Sequence, residues 1–195
     1  FSKKGKVDLE LISAQTMQSL QIAVESRETG SVKSANAVRV LEQSVDQLEE
    51  EMREKHIRRL SKGKCDPESG VIFLDIISNL ERIGDHAVNL AEYGDDMRKW
   101  EIDFSDTVKE ELNEMKAQCI AALDNLKEVT SENVERILSQ AVIIEQKTDD
   151  MRDKYFKKQM QRLKKGKCKP QSGIVFSEIL TDFERMGYHA LNIAQ

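Results

Sequence analysis

Apolar residues recur at three- and four-residue steps along most of this chain, the spacing that places side chains on one face of an α-helix. No segment sustains the alternation of apolar and polar residues expected of a half-buried strand. In the first half the three apolar stripes are Leu9, Ile12, Thr16, Leu20 and Ala23; Ala37, Leu41, Val45, Leu48 and Met52; and Ile72, Ile76, Leu80, Ile83, Ala87 and Leu90. In the second half they are Val108, Leu112, Met115, Cys119, Ala122 and Leu126; Val134, Ile137, Ala141, Ile144, Thr148, Met151 and Tyr155; and Ile179, Phe183, Met186, Ala190 and Ile193.

Residues that stop or start helices stand between these stripes. Glycine favours the end of a helix, serine and threonine cap the start of the next, and proline cannot continue a helix. The junctions are Gly30 with Ser31, Gly63 with Pro67, Thr130 with Ser131, and Gly166 with Pro170. Helices of about 25–30 residues are roughly 40 Å long and bury their stripes only by packing lengthwise. We therefore predict an all-α fold with six long helices.

The chain repeats itself. Residues 60–91 read LSKGKCDPESGVIFLDIISNLERIGDHAVNLA, and residues 163–194 read LKKGKCKPQSGIVFSEILTDFERMGYHALNIA. The offset is a constant 103 positions, and about half of the paired residues are identical. Such a match without gaps indicates a tandem duplication. We predict two three-helix bundles, residues 1–99 and residues 100–195.

Charge and cysteine content exclude several classes of protein. The net charge of −5 argues against a nucleic-acid-binding domain, which is usually basic. Cys65, Cys119 and Cys168 form no CxxC pair, so neither a disulfide framework nor a zinc ribbon is expected. No apolar run approaches the roughly 18 residues of a membrane span, and no signal peptide opens the chain. We expect a cytoplasmic protein whose only link to the membrane is a parent or partner protein.

The segment ERIGDHAVNLAE, residues 81–92, carries an oxygen-rich stripe opposite the apolar stripe of the third helix. Like charges four residues apart repel, and a bound cation would relieve that repulsion. Carboxylates on the second helix could complete a site for a hard cation. The candidate ligands in this half are Glu81, Asp85, Asn89, Asp46, Glu49 and Glu50, with Glu42 beside them. From spacing alone, a solvated acidic face relieved by Arg53 and Arg82 is the simpler interpretation.

The block E-R-I-G-D-H-A-V-N-L-A-E resembles the signature of the PhoU family of phosphate-transport regulators. The resemblance covers both halves of the chain and implies two PhoU-like three-helix units. It also implies metal binding at the E-x-x-x-D pattern of the third helix, here Glu81 and Asp85, followed by Asn89. The cation implied is divalent or trivalent: iron, zinc, magnesium or manganese. In the second half Tyr188 replaces the aspartate, so the resemblance is weaker there.

The candidate ligands of the second half are Glu184, Asp149 and Asp153. Arg152 stands at the position equivalent to Glu49 and brings a positive charge to the second helix. A neutral phenol at Tyr188 is a poor ligand for a hard cation. We therefore predict that the first half binds metal better than the second.

The resemblance implies a regulatory domain that controls phosphate uptake through contact with the membrane domain of a phosphate transporter or with a sensor protein. The L-x-x-G-x-C segments at Leu60–Cys65 and Leu163–Cys168 are similar, more narrowly, to the PhoU-like region of bacterial sodium/phosphate cotransporter-type proteins. Together with the start at Phe1, they favour a cytoplasmic domain behind a membrane region, at the inner face of the cell membrane. The alternatives are a free-standing regulator of a transporter and its sensor kinase, and a metal-free scaffold that dimerises its host.

The remaining polar residues favour structural roles. His86 and His189 occupy matched positions at the edge of an apolar stripe and are expected to be structural, whereas His56 is expected to be exposed. The KGKC turns lie between helices, not between the strand and helix of a phosphate-binding loop, so their lysines are expected to offset the helix dipole. No nucleophile-base set is present, and we expect no enzymatic activity.

Overall fold

The computed structural model describes residues 1, 3–127, 129–130 and 132–195. Over these residues the chain forms six helices and no strand, which confirms the all-α prediction. The helices are α1 (Lys3–Thr29), α2 (Val32–Leu60), α3 (Pro67–Lys99), α4 (Asp106–Leu126), α5 (Val134–Lys164) and α6 (Pro170–Ala194). They group into two compact units, Phe1–Ala91 and Glu92–Gln195. None of the helices, as far as they are described, is long and apolar enough to cross a bilayer.

The first unit packs α1, α2 and most of α3 around one apolar core. Ile12, Val45, Phe73 and Ile83 are almost fully buried in it. Thr16 extends the stripe of α1 as a buried polar residue, and its hydroxyl donates a 3.3 Å hydrogen bond to the Leu80 carbonyl of α3. A buried hydroxyl needs such a partner, and this one fixes α1 against α3.

The second unit contains α4, α5 and α6 around a core that includes Met115, Phe176 and Phe183. The connector before α4 also belongs to this core, because Ile102 and Phe104 are buried. The Phe104 ring meets the Phe176 ring edge-on with centroids 6.1 Å apart, a favourable aromatic geometry. The helical stripes gave no indication of this contribution from the connector.

The helix ends repeat between the two units. At the end of α2, the Gly63 backbone adopts a φ of 61°, and the Lys64 N–H donates to the Arg59 carbonyl at 2.9 Å. At the end of α5, Gly166 has a φ of 63°, and Lys167 N–H makes the equivalent bond to Arg162. Glycine tolerates this left-handed conformation, which satisfies carbonyls that the helix end would leave unpaired.

The start of α2 follows its prediction. The Ser31 hydroxyl accepts a 3.2 Å hydrogen bond from the Ser34 N–H, as expected of an N-cap. Thr130 was predicted to mark the equivalent junction of the second unit together with Ser131. Ser131 lies outside the described residues.

The apolar stripe of α3 is rotated relative to its prediction at the start of the helix. Ile72 is 50% exposed, whereas Phe73 and Ile77 are buried. A shift of one residue turns a helix by about 100°. The prediction assumed that α3 buries one narrow row of side chains. The first part of α3 instead packs against two helices and therefore buries a broader face.

His56 was predicted to be exposed, and that prediction is wrong. Its side chain is 5% exposed and stacks on the Phe73 ring with centroids 4.7 Å apart. His56 continues the buried face of α2 that includes Val45 and Met52. The prediction missed this because the residues around His56 are mostly charged.

Gly84 offers a site at which stability can be raised. It is buried within α3, and a Cβ there would lie 3.6 Å from Val45 Cγ1, an ordinary contact. Gly84→Ala is expected to increase the free energy of unfolding by about 0.5–1 kcal/mol, because alanine loses less backbone entropy in a helix. Urea denaturation followed by circular dichroism measures the change.

Gly70→Ala is the matched control in the same helix. Its Cβ would lie 2.9 Å from both His56 Nε2 and Leu60 Cδ2, so these side chains would have to move. A decrease in stability is expected from this variant. If both alanines changed stability in the same direction, the packing described at these two glycines would be contradicted.

Candidate metal centre

Three carboxylates of the first unit converge at the contact between α2 and α3. Oxygens of Glu42, Asp46 and Asp85 all lie within 4.8 Å of one another. The backbone explains the meeting. Val45 on α2 faces Gly84 on α3 at close range, so the next residue on each helix, Asp46 and Asp85, stands beside that contact. Glu42 lies one turn before Asp46 and joins them from the same face of α2.

The electrostatics of these groups reflect their mutual repulsion and partial burial. Burial is the main cause that raises the pKa of Glu42 above its usual range, and Asp46 and Asp85 add to it. Burial also raises the pKa of Asp85, followed by the charge of Asp46, while His86 and Arg82 act in the opposite direction. Because the neighbouring carboxylates add to the effect of burial, a bound cation would relieve repulsion within this group.

Glu81 borders this cluster. Burial, then the charges of Asp85 and Asp46, raise its pKa to about 7, while Arg82 opposes them. Glu81 was predicted to lie on the far side of α3, but it is half-buried. Ile77 and Gly84, one turn to either side of Glu81, are both buried, so the packed face of α3 is broader than the predicted stripe and has Glu81 at its edge.

The other predicted ligands of the first unit lie in different surroundings. Glu49 forms an ion pair with Arg53 on the next turn of α2. Glu50 is exposed and lies outside the three-carboxylate group. Asn89 is half-buried one turn beyond Asp85 on α3. The structure therefore brings together Asp46 and Asp85 from the predicted set and adds Glu42. The signal for Glu42 was its four-residue spacing from Asp46.

The equivalent region of the second unit has a different charge pattern. Glu145 and Asp149 on α5 correspond to Glu42 and Asp46, and Glu184 on α6 corresponds to Glu81. Burial raises the pKa of Glu184, but Arg185 opposes it, and its Nε lies 3.7 Å from the Glu184 carboxylate. Tyr188, at the place of Asp85, is 41% exposed.

The remaining predicted ligand of the second unit is already paired. Arg152 Nη1 lies 2.9 Å from Asp153 Oδ1. Among the described residues, no group of three carboxylates in this unit matches the close approach found in the first. The chemistry of the first-unit group suits a hard cation, because all its donors are carboxylate oxygens and the remaining positions are open to water.

The raised pKa of Glu81 predicts a specific pH dependence for the metal-free protein. The folded state keeps a proton on Glu81 up to about pH 7, whereas the unfolded chain releases it near the ordinary value of 4.5. Folding therefore binds a proton in this window, and stability is expected to fall as the pH rises from about 4.5 to about 7. Chemical denaturation in the presence of chelator measures it.

Glu81→Gln should make this decline shallower, because glutamine does not titrate. Glu54→Gln, on the exposed face of α2 in an ion pair with Arg58, is the control. An unchanged pH profile for Glu81→Gln would contradict the burial assigned to Glu81.

Comparison with known proteins gives a consistent result at three levels. The family model described as the PhoU domain matches residues 9–94 and 112–195. The chain is 26% identical over 194 residues to the phosphate-specific transport system accessory protein PhoU homolog 1 of Thermotoga maritima. That alignment covers 97% of this chain and 82% of the relative.

Two solved structures share the fold. The crystal structure of PhoU from Pseudomonas aeruginosa superposes with a TM-score of 0.89 at 16% identity, over 98% of this chain and 92% of the other. The phosphate transport system regulatory protein PhoU from Streptococcus pneumoniae gives a TM-score of 0.82 at 15% identity, over 98% and 90%.

Proposed function

Because this chain belongs to the PhoU domain family, we propose that it regulates phosphate transport by binding another protein. The observation that carries the proposal is the match of the family model to both repeats. The Thermotoga maritima relative, an accessory protein of a phosphate-specific transport system, supports the same role. The partner we propose is the membrane domain of a phosphate transporter or a sensor protein of phosphate supply.

Two arrangements of regulator and transporter are compatible with this role. The chain could act on a separate transporter, or it could be the PhoU-like part of a sodium/phosphate cotransporter-type protein. The relatives described above include an accessory protein and a regulatory protein of phosphate transport systems, and they align over 82% or more of their own length. These matches support the first arrangement, which we propose as the working model.

A metal ion is the second part of the proposal. Glu42, Asp46 and Asp85 would hold it, with Glu81 and Asn89 at the border of the site. Carboxylate oxygens suit magnesium, manganese or iron better than zinc, which usually takes nitrogen and sulfur ligands. The ion would neutralise the acidic contact between α2 and α3 and so stiffen the first unit. We propose no catalytic role for it, since these carboxylates lie on an open surface rather than in a substrate pocket.

The regulatory role is tested in cells that lack the gene for this chain. Phosphate uptake is expected to escape control, remaining high when phosphate is abundant, and the wild-type gene should restore the response. Uptake that responds normally to phosphate in the deletion strain would contradict the proposed function. If an Asp46→Asn/Asp85→Asn variant also restores control of phosphate uptake, regulation does not require the proposed metal site.

Elemental analysis of protein purified without chelator tests the metal directly. Bound magnesium, manganese or iron in roughly stoichiometric amount is expected. If no metal binds even after loading with each ion, the acidic cluster is a solvated face, and the metal-free scaffold is the better description of this chain.

A further inference from the structure

A second polar site lies in the first unit, at the KGKC turn between α2 and α3. A cavity of about 290 Å³ opens there, and its walls include the cations Arg59 and Lys64, the carboxylate of Asp66, and His56, Cys65, Ser69 and Phe73. This volume is just below that of typical small-ligand pockets. The three carboxylates of the metal centre do not line it.

The protonation of His56 follows from its contacts. Arg59 Nη2 lies 3.3 Å from His56 Nδ1. A guanidinium can only donate, so Nδ1 must accept, and the ring proton resides on Nε2. Nε2 lies 3.8 Å from Cys65 Sγ and directs its N–H toward the sulfur. Burial, followed by the charge of Arg59, lowers the pKa of His56 and keeps the ring neutral.

The imidazole is held rigidly in this orientation. One face stacks on the Phe73 ring with an interplanar angle of 16°. The missing side chain of Gly70 provides the space for Nε2, because a Cβ there would lie 2.9 Å from it. Cys65 itself is partly exposed and unbridged. The thiol thus faces a fixed N–H donor, and two cationic side chains, Arg59 and Lys64, share the cavity wall with it.

The second unit provides an internal comparison, because the same turn holds Cys168. Gln159 replaces the histidine there, and its Nε2 lies 3.4 Å from Cys168 Sγ. Arg162, the equivalent of Arg59, is occupied by a two-bond ion pair with Glu111, with Nη–O distances of 2.7 and 2.8 Å.

The described residues of the first unit show no equivalent ion pair at Arg59. The residue at the place of Glu111 is Asp8, one methylene shorter, and its Oδ2 is buried without a hydrogen-bond partner. The Arg59 Nε is likewise buried and unpartnered. Among the described residues no carboxylate forms an ion pair with Arg59, which contributes a positive charge to the cavity wall, whereas Arg162 is paired with Glu111.

We propose that Cys65 is a site of thiol–disulfide exchange with small disulfides that carry carboxylate groups. The Cys65 thiolate attacks one sulfur of the disulfide, a new Sγ–S bond forms, and the original S–S bond breaks. The departing half leaves as a thiolate and takes up the proton that Cys65 has lost. Cys65 is oxidised to a mixed disulfide while half of the reagent is reduced to a thiol. Arg59 and Lys64 pair with the carboxylates of the bound half.

The test compares two variants, each with one accessible thiol. In Cys168→Ser the reactive candidate is Cys65, and in Cys65→Ser it is Cys168; Cys119 is 1% exposed and contributes little to either. The probe is 5,5′-dithiobis(2-nitrobenzoic acid), a dicarboxylate disulfide whose released thiolate is coloured. We expect Cys65 to react on the order of tenfold faster than Cys168. Equal rates, or a faster Cys168, would overturn the proposal.

Two further measurements separate the proposed roles from simple exposure. With 4,4′-dithiodipyridine, an uncharged disulfide, the rate advantage of Cys65 over Cys168 should shrink severalfold because Arg59 and Lys64 no longer attract the reagent.

His56→Gln in the Cys168→Ser background installs the residue of the second unit and should slow Cys65 toward the rate of Cys168. An advantage of Cys65 that is identical with both probes and unchanged by His56→Gln would mean that exposure alone sets its rate. Thermal unfolding of each variant verifies that the fold is intact.

Discussion

Replacing Asp85 with asparagine is expected to weaken the proposed binding of a metal ion strongly, whereas replacing Glu184 with glutamine should leave it nearly unchanged. Asp85 is the only carboxylate that α3 contributes to the group with Glu42 and Asp46. Its loss removes one negative charge and one anionic donor, and the affinity should fall on the order of a hundredfold. Each variant is freed of metal with a chelator, and its affinity for Mn²⁺ is then measured by calorimetric titration.

The asymmetry follows from the charges around each site. In the first unit three carboxylates, Glu42, Asp46 and Asp85, lie within 4.8 Å of one another, and the charges of His86 and Arg82 only partly offset the rise in the pKa of Asp85. In the second unit Arg185 Nε lies 3.7 Å from the Glu184 carboxylate, and its charge opposes the effect of burial on the pKa of Glu184. A cation bound there would compete with the guanidinium, so little metal is expected to bind and little can be lost.

A second effect of Asp85→Asn gives an independent check. In the metal-free protein the substitution relieves the repulsion between residue 85 and Asp46. The metal-free variant should therefore be somewhat more stable than the metal-free wild type. Equal losses of metal from Asp85→Asn and Glu184→Gln, or a loss only from Glu184→Gln, would contradict the assignment to the first unit.

The fold was accessible from sequence because its signals are local. Helix caps and stops such as Ser31 and Gly63 act within one turn, and the duplication supplied each signal twice. The periodicity also identified Cys119 and Phe183 as core residues, and both are buried. Helix ends and buried stripes depend on residues that are close along one helix, and a periodic sequence pattern therefore reveals them.

The candidate sites were only partly accessible because they depend on how helices are rotated against one another. Spacing identified Asp46, Asp85 and, beside them, Glu42, but the meeting of these residues across two helices depends on the contact between Val45 and Gly84. The burial of His56 depends on Phe73 of another helix. A pattern along one helix shows which residues share a face, but not which face meets it on the neighbouring helix.

The ion pair between Glu111 and Arg162 is a further long-range feature that the sequence did not reveal. Glu111 is a polar residue beside the apolar stripe of α4, and its side chain is 5% exposed. Arg162 reaches it from α5 with two hydrogen bonds, and Lys158 adds a third at 3.1 Å. The carboxylate is thus buried only because α5 brings two cations to it.

Arg162→Met is expected to lower the free energy of unfolding of the second unit by about 2–4 kcal/mol, because it leaves the Glu111 carboxylate buried with one remaining cation. The value lies below that of a fully isolated charge since Lys158 stays in contact. Urea denaturation followed by circular dichroism measures the loss. The matched control is Arg59→Met in the first unit. Among the described residues Arg59 forms no ion pair, but it donates to the buried His56 ring, so that variant should cost about 1 kcal/mol, less than Arg162→Met.

The double variant Glu111→Met/Arg162→Met distinguishes an unpaired charge from a loss of packing. When both charges are replaced by apolar side chains of similar size, no buried charge remains, and most of the stability lost in Arg162→Met should return. The guanidinium carbon of Arg162 also lies 6.0 Å from the centroid of the Phe176 ring. A double variant as unstable as the single one would mean that this contact, and not the ion pair, stabilises the unit. Equal losses from Arg162→Met and Arg59→Met would show that the carboxylate at Glu111 makes no difference between the two units.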